Sequence, residues 1–416
     1  MNARKCLSSI IVTCFLIISI HAFEAPFLSG HAGYTGDFTS DNTSKHFDPA
    51  YFSAGYFGGQ INFFDTLVFR SDFSILTGDA FNGDILKAPR ETSSIFSIKE
   101  ISGTYRLSTG NLTHYFSLFY GEYDPIGSDI FLQRYFGVPK ISSTLTESWT
   151  SPDSASLSNF YGGGISYVMR LDQPLAIGAY IYKDCNDYYD QHSLNFDLRI
   201  AGAFPLVTFD VESGIGLSSG STDGTFEDYV LIVRETSFHA GFNILIDTPS
   251  EQVSVFTQAG FSNLIVTARE NRNKDNFTNA LDDLYFLIEP RVNLQKFSFA
   301  LTFFNIPYSR IYSGDFAYIN DPLGISATVY TNYFHIGDLN YTMGLHATLS
   351  LSERTIRDAI KDNSWNKNFY ITPYADFPLF GGSLSTSLII NCTQLFKFEH
   401  NWFSSMDYRL GFRSDF

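Results

Sequence analysis

The sequence predicts an all-β fold, a single antiparallel transmembrane β-barrel of about eighteen strands. Three observations carry this. Apolar and polar side chains alternate over ten to thirteen residues at a time, and the links between these segments alternate short and long. The 416 residues also include 42 Phe and 25 Tyr, while only 17% are charged.

The N-terminus comes first. MNARK is basic, Cys6 to Ile20 is apolar, and HAFEA offers Ala22 and Ala25, which is the order of a secretory signal peptide over 1–22. A retained membrane helix needs about 20 apolar residues, more than this run supplies. Cys14 follows Thr13 inside the apolar run, which argues against a lipid-modified cysteine. Removing the signal leaves Cys185 and Cys392, neither in a Cys-x-x-Cys or Cys/His cluster. No metal or other cofactor is expected, and two free thiols is the preferred reading.

Residues 23–416 read as one barrel. No Pro/Ser tract, charge block or composition shift marks a linker. In DLNYTMGLHATLSL, Leu339, Tyr341, Met343, Leu345, Ala347, Leu349 and Leu351 share one face, opposite Asn340, Thr342, Gly344, His346, Thr348 and Ser350. SLNFDLRIAG, TLVFRSDFSI and SFHAGFNILI repeat the pattern. A soluble sandwich alternates too, but its strands typically have about 5–6 residues. A tilted strand crossing a bilayer has about 9–11. Short links are expected at 62–65, 108–111, 171–174, 203–205, 247–252, 294–296, 335–338 and 378–382. Longer ones are expected at 39–49, 77–92, 123–158, 183–192, 217–228, 267–283, 306–322, 352–368 and 393–403. Segments 50–61, 95–107, 174–183 and 382–392 carry apolar residues on both faces, and a count of fourteen or sixteen strands stays open.

The closing decapeptide DYRLGFRSDF is the most specific element. With the whole-chain pattern, it resembles the bacterial outer-membrane β-barrels, porins in particular, with an aromatic richness similar to spirochaete members. The resemblance implies that Tyr408, Leu410, Phe412 and Phe416 form the terminal signal read by the barrel-assembly machinery; Ser414 departs from it. It also implies an outer-membrane location, lipid contact, small solutes as cargo and a possible homo-oligomer. FLSGHAGYTGDF begins too soon after the signal to leave room for a plug domain, and FEAPFLS lacks the Asn-Pro-Ala motif of fatty-acid channels.

A cation facing lipid at mid-membrane costs about 2–4 kcal/mol, so charges inside strands are expected to face the lumen. These are Arg70, Asp72, Arg106, Arg170, Asp197, Arg199, Asp210, Glu212, Glu289, Arg291, Arg409 and Arg413. They either form a selective constriction or only hydrate and brace the wall. In the longest link, GSDIFLQRYFGV is expected to form a short helix capped by Ser128 or Asp129. General porins fold their third long loop into the barrel; docking on the rim or a surface epitope are the alternatives here. ERTIRDAIKD, 353–362, has helical spacing.

The formal charge of −16 and acidic loops such as KDCNDYYD and STDGTFED disfavour nucleic acid as a partner, and none is expected. No Gly-x-Ser-x-Gly elbow or phosphate loop supports an enzyme. The function expected is passive diffusion of small hydrophilic solutes or ions. A closed-lumen adhesin or structural barrel, and a channel for hydrophobic substrates, are the alternatives.

Overall fold

The computed structural model describes residues 27–40, 48–87, 95–157, 161–185, 193–218, 235–250, 252–267, 284–307, 310–311, 316–331, 334–336, 339–352, 366–379, 381–396 and 402–416. The expected signal peptide, STDGTFED, most of KDCNDYYD and the 353–362 helix lie outside the described residues.

The first nine strands are β1 (Phe27–Ser40), β2 (Pro49–Phe63), β3 (Leu67–Leu76), β4 (Phe96–Thr109), β5 (Leu112–Gly121), β6 (Gly162–Arg170), β7 (Leu175–Asp184), β8 (Ser193–Ala203) and β9 (Val207–Ser218). The next five are β10 (Glu235–Asp247), β11 (Val253–Thr267), β12 (Leu284–Asn293), β13 (Phe297–Asn305) and β14 (Leu323–Thr331). The last four are β15 (Leu339–Leu351), β16 (Lys367–Leu379), β17 (Gly382–Asn391) and β18 (Met406–Asp415). A three-residue piece, Phe334–Ile336, prolongs β14 along the same neighbour after a one-residue register step, from Tyr330↔Gly344 to Phe334↔Tyr341.

Every strand pairs antiparallel with the next, and β18 returns to β1 from His31↔Asp415 to Phe38↔Tyr408, so the eighteen-stranded sheet closes on itself. Closure reaches the last residue: Gly30 and Phe416 exchange backbone hydrogen bonds of 2.8 and 2.9 Å. No edge is left exposed, which satisfies backbone groups that water cannot reach in a bilayer.

The strand ends joined by the eight short links lie at one end of the barrel, with the start of β1 and the end of β18. The strand ends that flank the nine longer links lie at the other, so the alternation read from the sequence holds. The tightest short links need unusual backbone. Gly110, at φ +61°, turns β4 into β5 through a two-residue connection of the kind glycine favours. Register shifts mark two bulges, in β4 at Lys99 opposite Asp72/Phe73 and in β11 opposite Phe238/Ala240 of β10.

The outer face is apolar and exposed. Leu118 is 68% and Leu198 65% accessible, with Phe69, Ile200, Leu301, Leu349 and Leu410 also exposed. A continuous wall of this kind fits lipid rather than water. The inner face is polar on one side of the ring and apolar on the other. Phe119, Val168, Tyr180, Phe256, Tyr285, Leu287 and Phe304 point inward from β5, β6, β7, β11, β12 and β13 and pack as one cluster with residues 122–157 of the long link. This explains why 174–183 reads as apolar on both faces: one face of β7 points outward, while inward Tyr180 meets Asp124 of the link and Tyr182 packs on Phe119. Both cysteines are free. Cys185 follows β7, and the buried Cys392 opens a four-residue helix, Cys392–Leu395.

Candidate functional site: a lumen narrowed by one long loop

Residues 122–157 of the long link after β5 fold into the barrel. Its helix α1 (Ile130–Phe136) buries Phe131, Leu132 and Tyr135 and ends at Gly137, at φ +66°, whose N–H bonds Gln133 O at 2.9 Å. Full burial of each of these large side chains contributes about 1.5–3 kcal/mol. The helix start differs from the capping expected. Ser128 Oγ accepts from Ile130 N at 3.4 Å, whereas Asp129, although at the cap position, makes no capping bond. Its carboxylate instead accepts from Ile141 N at 2.9 Å and Ser142 N at 2.8 Å, tying the returning arm of the loop to the helix. Burial pushes the Asp129 carboxyl above its ordinary range, and the two backbone donors oppose that rise.

Ion pairs fix the helix to the wall. Arg134 bonds Asp124 at 2.6 Å and both oxygens of Glu100, on β4, at 2.8 Å. Burial drives the Asp124 carboxyl up, against the attraction of Arg134 and Arg199. Arg199, on β8, is 1% exposed and bridges three groups: the carboxylate of Asp210, Glu212 at 3.1 Å and the backbone oxygen of Asp124. Its guanidinium lies 4.3 Å from the centre of the Phe131 ring. Further round, Ser143 donates to Glu289 on β12.

Beyond a 3-10 turn at Thr144–Thr146 the loop forms a small hairpin, with bridges Glu147↔Ser154 and Ser148 N to Asp153 O at 3.2 Å. The link 306–322 supports it, through Ala317 N to Glu147 O at 3.0 Å and Arg310 Nε to Ser156 O at 3.0 Å. The hairpin tip reaches the opposite wall. Trp149 O accepts from Thr35 Oγ1 at 3.2 Å, the Trp149 ring lies 5.1 Å from the Arg409 guanidinium, and Pro152 O accepts from Arg413 at 3.4 Å. A cavity of about 460 Å³ remains beside this tip, lined by Ser383, Ser385 and Ser387 of β17, Arg409 and Arg413 of β18, and Glu147 and Lys140 of the loop. Its wall mixes polar and apolar groups, and its charges are of both signs.

The charged residues singled out in the sequence divide into groups. Arg70 pairs with Asp72 at 2.6 Å, and Glu289 with Arg291 at 2.7 Å, each within one strand. Asp197 meets His239 at 2.8 Å, while Arg199, Asp210 and Glu212 form the cluster above. Arg170 stands over the Phe136 ring at 5.8 Å, and Arg106 is exposed near the short-link end of β4. Arg409 lies 3.5 Å from Asp37, and Arg413 2.9 Å from Asp415. Tyr408, Leu410 and Phe416 are exposed and Phe412 is half-exposed, opposite these arginines on β18.

Sequence reasoning missed Glu100, Asp37 and Asp376, although each is a charge inside a strand. Asp124, Arg134, Glu147 and Trp149 carried no such mark, because their contacts depend on where the loop docks. Docking on the rim and display as a surface epitope are both excluded by the loop's contacts with β4, β8, β12, β1 and β18.

Closed antiparallel pairing and an inward-folded long loop make the fold a porin-like β-barrel. Similar solved structures include a fivefold-substituted variant of Rhodopseudomonas blastica porin, at 11% identity, 94% coverage of this chain, 100% of that chain and TM-score 0.44. A variant of the same porin with one alanine changed to tryptophan has 12% identity, the same coverages and TM-score 0.44. A chain described under asymmetric conductivity of engineered proteins has 10% identity, the same coverages and TM-score 0.43. No family model and no curated protein matches the sequence. The fold rests on the strand pairing described above.

Proposed function

We propose that the chain is a bacterial outer-membrane channel for passive diffusion of small hydrophilic solutes or ions, with residues 122–157 as its constriction. The observation that carries this is the cavity, lined by serines and by charges of both signs, left between the hairpin tip and β16 to β1. Transport of this kind needs width, water and fixed charge rather than a nucleophile or cofactor. Arg409 and Arg413 face Glu147 and Asp376 across the cavity, so a passing solute meets both signs of charge. The apolar outer wall is the basis for membrane placement, with outer-membrane lipid as its surroundings. Tyr408, Leu410, Phe412 and Phe416 are the proposed assembly signal. A homo-oligomer is compatible with this exposed wall.

Conductance of refolded protein in planar bilayers tests the reading. Wild type is expected to give stable steps, and replacing 147–154 by a short Gly-Ser link is expected to enlarge them. A folded barrel that gives no steps in either form would overturn the proposal and favour a closed structural or adhesive role.

A further inference from the structure

On the inner wall, near the long-link end of β8 to β10, lies a second constellation that the solute passage does not use. Asp197, Glu212 and His239 each offer one ligand atom, and these atoms lie within 4.8 Å of one another. We infer that they form a binding site for a divalent transition-metal ion of the Zn²⁺ type.

Strand register builds the site. Asp197 on β8 and His239 on β10 both pair with Gly214 on the intervening β9. A side chain at that position would collide with the Asp197 carboxylate and the His239 Nε2, so the glycine keeps open the gap across which the two residues meet. Glu212 is two residues back along β9 and therefore on the same face. A neutral imidazole with two carboxylates suits Zn²⁺ and its neighbours, whereas Mg²⁺ and Ca²⁺ favour oxygen alone. Metal–ligand bonds of about 2.0–2.2 Å place ligand atoms about 3.3 Å apart. A slight opening of the 2.8 Å Asp197–His239 contact and an approach by Glu212 complete the set.

Charge supports the assignment. Arg199 and Asp210 neutralise each other as a buried pair. Glu212 lies against the outer side of Arg199, and Asp197 against His239. Two carboxylates and a neutral imidazole match the charge of a divalent ion. Outer contacts that orient ligands are also present: Tyr182 hydrogen-bonds Asp197, and Arg199 holds Glu212. Glu212 and His239 keep 18% and 17% of their side-chain surface accessible, which leaves a way in from the lumen.

The inference does not depend on conduction. Refolded, EDTA-treated barrel is titrated with Zn²⁺ by calorimetry, and folding is verified by heat-modifiable migration. One ion per chain is expected, with affinity at least about tenfold weaker in His239→Gln and Glu212→Gln and unchanged in His31→Gln. Wild type is also labelled with diethyl pyrocarbonate and mapped by mass spectrometry. One equivalent of Zn²⁺ is expected to protect His239 severalfold and leave His31 labelled as before. Absence of a stoichiometric ion in wild type, or unprotected His239, overturns the site even if a variant fails to fold. A barrel that binds Zn²⁺ but passes no current keeps this inference and loses the channel reading; one that conducts without binding does the reverse.

Discussion

The inner wall from β4 to β13 and the inner wall from β15 to β3 share one strand pattern but have opposite interiors. The first is dense: Phe131, Leu132 and Tyr135 of α1 sit among Phe119, Val168, Tyr180, Phe256 and Tyr285, and Arg134 and Arg199 hold Asp124, Glu100 and Asp210. The second is covered at β15 and β16 by Tyr318, whose ring lies beside His346 and Tyr374, and is open at β17 and β18, whose serines and arginines face the cavity of about 460 Å³. The difference teaches that alternation makes a barrel, while the occupant of each half decides whether its inner residues become a core or a passage.

The comparison breaks most severely at Arg199. Arg199→Leu leaves Asp210 buried without its cation, and removing one partner of such a pair costs about 3–5 kcal/mol. Denaturant unfolding of the refolded barrel is expected to show that loss, together with faster proteolysis of 122–161. Leu132→Ala, which empties a fully buried position, is expected to cost about 3 kcal/mol in the same assay.

Asp129 gives a smaller effect, with a definite sign in pH. Its carboxyl is raised by burial, so the folded state favours the protonated form. That contribution is complete below the ordinary aspartate pKa of about 3.9 and is lost as pH rises through the raised value. Asp129→Asn keeps an oxygen for Ile141 and Ser142 but has no proton to lose. Its unfolding midpoint is therefore expected to improve relative to wild type as pH rises across that window. On the open wall, Ser385→Ala is expected to change stability by no more than about 0.5 kcal/mol.

These two walls were unequally legible in the sequence. Strand count, link alternation and the outward aromatics depend on neighbours two residues apart, so the sequence displays them directly. Closure of β18 onto β1 followed because an unpaired terminal strand is untenable in lipid. The apolar inner half was visible only as a disturbance: 174–183 reads as apolar on both faces because inward Tyr180 meets Asp124, 56 residues earlier, and Tyr182 packs on Phe119. Arg134 meeting Glu100, or His239 meeting Asp197 across Gly214, depends on register between distant segments. No local spacing encodes it.

The claim that solutes pass along the open wall is tested most directly by single-channel conductance of Ser385→Trp beside wild type. Ser385 lines the cavity, and an indole there takes up width and water without touching the packed half. The account predicts steps reduced to about half or less, with heat-modifiable migration unchanged. Steps of undiminished size from the folded variant would contradict it.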